Sequence, residues 1–120
     1  MRENMTNLVS GIHPFELVRR SMINDGYDVT GLNHKQVDLY LNKSQHNINQ
    51  FVLSDNEEET LKFLCEAISS LVGYAYSKGW NVIGAFDEVI RFDQVNLAPY
   101  VRKPSDPPKP ENMIMGLGEE

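Results

Sequence analysis

The chain has 120 residues, 41% apolar and 23% charged, ordinary globular usage that leaves room for one domain and excludes a wholly disordered chain. Seventeen acids against eleven bases give a net charge of −6. That sign repels phosphate backbones and no basic patch offsets it, so no nucleic-acid partner is expected. No apolar run approaches the ~20 residues of a membrane span, and the stretch after Arg2 has no signal core. The single Cys65 has no internal disulfide partner and suits a reducing compartment. A soluble, cytoplasmic protein without a membrane partner is expected.

Residues 1–12 read as a flexible N-terminus, 13–98 as a helical domain, and 99–120 as a proline-rich arm with a frayed end. The first predicted helix opens at Pro14, carries Phe15, Val18 and Met22 at helical spacing, and stops at Gly26. Asn33 with Gln36 offers a capping box for the second. There Val37, Tyr40, Leu41, Ile48, Phe51 and Val52 recur at the spacing of an amphipathic helix. Ser44 and Asn47 fall on the same stripe, where inward polar groups need partners or belong to a site.

The third helix is capped by Ser54 with Glu57, or by Asp55 with Glu58. Leu61, Leu64, Cys65, Ile68, Leu71, Val72 and Ala75 then form a stripe expected in the core, with Cys65 as a small hydrophobe, and Gly79 ends it. On its flank Ser69, Ser70 and Gly73 would admit a close helix from a second copy, so a homodimer or higher homo-oligomer is expected. A short fourth helix runs from about Asn81 to Phe92, with Val82, Ala85, Phe86, Val89 and Ile90 inward. No strand pattern is evident. The fold expected is all-α, a small bundle of about four helices.

Chemistry-bearing groups are few. Glu57, Glu58 and Glu59 either supply carboxylates to a hard cation such as Mg²⁺ or serve the helix dipole. On the second reading, Glu59–Lys62 and Lys62–Glu66 are surface ion pairs. His13, His34 and His46 are scattered without metal-ligand spacing. No phosphate-binding glycine loop or nucleophile motif occurs.

The run from Tyr74 to Arg91, with Ala85-Phe-Asp-Glu-Val-Ile-Arg following a long helix that ends in Gly79, resembles the all-α nucleotide pyrophosphohydrolases. These form the MazG and phosphoribosyl-ATP pyrophosphohydrolase superfamily. The Lys103-Pro to Pro110 tail and the opening His13-Pro-Phe-Glu-Leu-Val are similar too, so the resemblance spans about residues 13–112. It implies a MazG-like bundle in which E-x-x-E on one helix and E-x-x-D on the next bind Mg²⁺ for hydrolysis of a nucleoside triphosphate. Laid on that pattern, Ser44 and Asn47 take the first pair and Glu59 and Lys62 the second, with Glu66 a turn further. Glu59 and Glu66 are then the catalytic candidates, and Glu58, Glu59 and Glu66 the metal candidates. Ser44, Asn47 and Lys62 mark a degraded motif, and Phe92-Asp-Gln-Val-Asn departs from the family's usual sequence after the short helix. The resemblance thus implies a catalytically impaired protein that binds a nucleotide or a protein. Two alternatives stand: an active Mg²⁺-dependent enzyme with a rearranged ligand set, and a helical adaptor outside the family.

Overall fold

His13 and Pro14 start the first helix as their chemistry dictates. Proline needs no N–H donor at that position, and His13 Nδ1 accepts the Phe15 N–H at 3.0 Å. The structure, a computed structural model, describes residues 11–101 and shows five helices and no strand there. They are α1 (Pro14–Asn24), α2 (His34–Leu53), α3 (Glu57–Ser77), α4 (Val82–Arg91) and the single turn α5 (Ala98–Val101). The N-terminal residues 1–10 and the arm from residue 102 onward, including its prolines, lie outside the described residues. Helix α5 carries helical structure past residue 98, and the Asn81 N–H at the start of α4 donates to the Tyr100 carbonyl within it at 2.8 Å.

The caps differ in detail from the sequence expectation. Asn33 does cap α2, its side chain accepting the Gln36 N–H, but the Gln36 side chain does not return the bond. It turns inward instead, donating to the Asp28 carbonyl and the Ser77 hydroxyl while accepting the Asp28 N–H at 2.8 Å. One buried amide thereby ties the α1–α2 loop to both long helices. At α3 the cap is Asn56, which accepts the Glu59 N–H at 3.0 Å, in neither of the expected registers. Ser54 is engaged in ending α2, its N–H donating to the Gln50 carbonyl and its hydroxyl to the Asn56 carbonyl.

Helices α2 and α3 pair as an antiparallel hairpin joined by three residues, and the seam between them is small and polar. Tyr40, Ser44 and Asn47 on α2 are buried with Ala67, Ser70 and Gly73 on α3. Gly73 is a glycine because the Tyr40 ring lies against its backbone, where a Cβ would collide with Tyr40 Cε1 and Cδ1. At this C-terminal end of α3, α1 crosses and closes a core of Met22, Tyr40, Val72 and Tyr76, edged by Phe15, Val18, Val29, Tyr74 and Val82. Gly79 follows at φ +80, a left-handed conformation, with the Thr30 carbonyl 2.6 Å from where a Cβ would stand.

Four expectations about burial need correction. Leu61, Leu64, Ile68 and Leu71 are not core residues but are 37–60% exposed, and Cys65 is exposed beside them. The reason is that α3 turns its small residues toward α2, which lets the helices approach closely and leaves the leucine side facing outward. On α2 the stripe splits likewise: Tyr40 is buried, whereas Leu41, Ile48 and Val52 are exposed. In α4 Phe86 is half-exposed while its ring packs edge to face on Phe15 at 5.2 Å, and Val89 and Ile90 face outward, since that short helix touches its neighbours along little of its length. Finally, Ser70 and Gly73 are consumed inside the hairpin, so the small-residue flank is no site for a second chain. Among the described residues, no helix is long and apolar enough to cross a membrane.

Candidate functional site

On one side of the hairpin, under α1, lies a cleft of about 590 Å³. Tyr40, Lys43 and Asn47 recur at i, i+3 and i+7 along α2 and form one wall. Glu66, Ser69 and Ser70 of α3 face them, and Leu17, Val18, Ser21 and Met22 of α1, followed by Asp25 and Tyr27, complete the lining. Tyr27 and Tyr40 meet edge to face with ring centroids 5.7 Å apart. The Lys43 ammonium stands 5.5 Å from the Tyr40 ring centroid, within cation–π reach. Burial pushes the Tyr40 phenol above its ordinary range, and the neighbouring Tyr27 and Asp25 push the same way, so it stays a neutral donor at physiological pH.

Of the residues singled out from the sequence, the cleft brings together Asn47 and Glu66. Asn47 is as inward as expected, and its partners are protein groups: Nδ2 donates to the Glu66 carbonyl at 3.3 Å and to Ser70 Oγ at 3.2 Å. Ser44 is buried off the cleft, its hydroxyl donating to the Tyr40 carbonyl at 2.7 Å one turn back. Glu57, Glu58 and Glu59 stand exposed on the first turn of α3, where the positive end of the dipole favours them. Glu59 precedes Glu66 by seven residues, roughly 10 Å along the helix axis. Lys62 is exposed with its ammonium 5.6 Å from the Phe63 ring centroid, and it forms neither of the ion pairs expected with Glu59 and Glu66. The pairs found among the described residues are Glu16 with Arg19 and Arg20, and Asp87 with Arg91.

Magnesium wants several carboxylate oxygens converging on one point. Among the described residues no three His, Cys, Asp or Glu side chains form such a group, so Glu58, Glu59 and Glu66 do not converge. Ser44 and Asn47 spend their donors on neighbouring backbone and hydroxyl groups. The described side chains therefore do not fit the metal that the family resemblance implies.

The cleft residues Lys43, Tyr27 and Asp25 were not foreseen, and Ser69 and Ser70, expected to admit a second chain, line the cleft instead. For Lys43 a signal existed, since it shares a helical face with Tyr40 and Asn47. For Asp25 and Tyr27, which follow the end of α1, spacing carries none. No known protein family, no curated protein and no solved structure matches the chain.

Proposed function

We propose that the chain is a MazG-like protein of the nucleotide pyrophosphohydrolase type that has given up hydrolysis and binds a nucleotide in the cleft under α1. The observation carrying this reading is the fate of Ser44 and Asn47, the two positions where the resembled enzymes need carboxylates. Both are neutral, buried and hydrogen-bonded within the hairpin, so neither supplies the negative charge with which a carboxylate holds a dication. The cleft volume of about 590 Å³ falls in the range that encloses small ligands. Its apolar wall of Val18, Met22, Tyr27 and Tyr40 suits a base, and Lys43 offers a cation to a phosphate. Asp25 and Glu66 line the same space, and without a metal between them they repel the several charges of a triphosphate. A nucleoside or nucleoside monophosphate fits this balance better than a triphosphate.

The test is a thermal-shift titration with nucleosides, monophosphates and triphosphates, with and without Mg²⁺, alongside an assay for pyrophosphate release. The expected outcome is stabilisation by a monophosphate or nucleoside, weakened in Lys43→Ala, with no release. Release of pyrophosphate that disappears in Glu59→Gln or Glu66→Gln would show an active enzyme with a rearranged ligand set. No stabilisation by any member of the panel would leave the helical adaptor as the better reading.

A further inference from the structure

We propose that a second cavity, bounded by α1 and by the junction of α3 with α4, is a binding site for a small organic monocarboxylate. It measures about 270 Å³, and Glu16 and Arg19 of α1, Tyr76 of α3, and Trp80 and Ile83 at the junction are among the residues that line it. None of its lining residues lines the cleft. Two independent observations point to a ligand. Tyr76 is only 6% exposed, and its phenol makes no hydrogen bond with any described residue. That phenol feels the charges of Glu16 and Arg19, whose side chains border the same space. Buried hydroxyls are nearly always bonded, so this one calls for an oxygen from outside the chain. The other observation is the start of α4. Asn81 caps it by accepting the Gly84 N–H, which leaves the Val82 and Ile83 N–H groups without a partner among the described residues. The dipole of the helix favours an anion at that end.

Charge and size choose the ligand. The Glu16 carboxylate accepts from Arg19 Nη1 at 3.4 Å and from Arg20 Nε at 3.3 Å, so two guanidiniums share one carboxylate and one positive charge is left over. That remainder matches a monoanion. Glu16 stands in the same lining and opposes a ligand of higher charge, such as a phosphate dianion. The long contact to Glu16 occupies one donor of Arg19, and the rest of the planar fork is shaped for a carboxylate. The Lys78 ammonium, 5.5 Å from the Trp80 ring centroid, adds to the positive field at the junction. Trp80, Val29 and Ile83 supply an apolar wall for the hydrocarbon part of the ligand. The volume is less than half that of the cleft, which suits a body of a few carbon atoms and excludes a nucleotide. The site is separate from the cleft and does not depend on what the cleft binds.

Trp80 is the chain's single tryptophan and lines the cavity, so its emission reads occupancy directly. The full chain is titrated with butyrate, with butyramide as the uncharged counterpart, and with inorganic phosphate, all at matched ionic strength. The expected result is a saturable emission change with butyrate in the millimolar range and none with butyramide. Tyr76→Phe and Arg19→Gln should each weaken butyrate binding by about tenfold, the worth of one hydrogen bond to a charged group. Tyr76→Phe should do so without lowering the melting temperature, because the phenol bonds to nothing in the described chain. Lys43→Ala, a change in the cleft, should leave the titration as it was. Where Arg19→Gln loses helix by circular dichroism, Tyr76→Phe decides alone. No saturable change with butyrate overturns the proposal, as does an equal response to butyramide, which would mean an apolar pocket only. Tighter binding of phosphate overturns the carboxylate in favour of a phosphate-bearing ligand, and butyrate binding that survives both substitutions places the anion elsewhere. None of these results bears on nucleotide binding, whose failure is read separately by the thermal-shift titration.

Discussion

Asp28 shows how one side chain organises the turn that holds the roof of the cleft. Its carboxylate accepts the Thr30 hydroxyl and the N–H groups of Gly31 and Leu32, while its backbone exchanges two bonds with the Gln36 amide. Burial alone would raise its pKa, but the Thr30 hydroxyl and the N–H groups of Leu32, Thr30 and Gly31 outweigh it and hold the group below the ordinary 3.8. The sign follows directly. On acidification the unfolded chain takes up this proton first, so Asp28 stabilises the fold above about pH 4 and that contribution fades as pH falls through the lower folded value. Asp28→Asn is therefore expected to lower stability at pH 7, with the gap from wild type narrowing at pH 3. Urea melts at the two pH values check this, and a gap that widens on acidification would contradict it.

Between elements, the unusual feature is that much of the longest contact in the fold, α2 against α3, is made by serine, asparagine, alanine and glycine, with Tyr40 and Gln36 as the large buried groups that α2 contributes. Small residues bring the backbones close, and the Asn47–Ser70 and Ser44–Tyr40 bonds satisfy the polar groups that the approach buries. Gly73→Ala forces a methyl into the Tyr40 ring, and overpacking of that kind costs about 1–3 kcal/mol. Thermal melts should show that loss, and an unchanged melting temperature would mean the ring moves aside freely. Helix positions, the Pro14 start, the Gly79 stop and the inward turn of Ser44 and Asn47 were legible in the sequence, because periodicity and capping chemistry are local. The face that each helix offers its neighbour was not. A stripe of leucines announces that something apolar belongs against it without saying what, and in α3 the chain spends its small residues on itself and leaves the leucines outside. Capping was legible in kind and missed in register at α3, where Ser, Asp and Asn stand consecutively and each can accept an N–H. Two residues of the cleft were hidden for a related reason, since Asp25 and Tyr27 reach it only through the path of the loop after α1.

At the scale of the whole molecule, the described residues bury four large apolar side chains in the main cluster, Met22, Tyr40, Val72 and Tyr76, and expose many more. A chain of this size has little core to spare, and a face of seven exposed aliphatic groups is a large fraction of its apolar resource. The cleft and the exposed aliphatic groups of α2 and α3 occupy different faces of one hairpin. The loop that follows α1 is tied to both long helices by one buried amide, Gln36, through the Asp28 backbone and the Ser77 hydroxyl.

The three-residue turn between α2 and α3 has a kinetic consequence. Contacts across so short a connection form early in refolding, before α1 has crossed from the far end of a longer loop. An early hairpin presents its aliphatic seams to solvent while the rest of the chain is still unfolded, and such species associate on encounter. Refolding from urea is therefore expected to contain a phase whose rate rises with protein concentration, steepening as the chain is made more abundant. Stopped-flow tryptophan emission at two concentrations tenfold apart reads it through Trp80, whose ring packs edge to face on Tyr74 near the end of α3. Identical traces at both concentrations would place every rate-limiting event within a single chain.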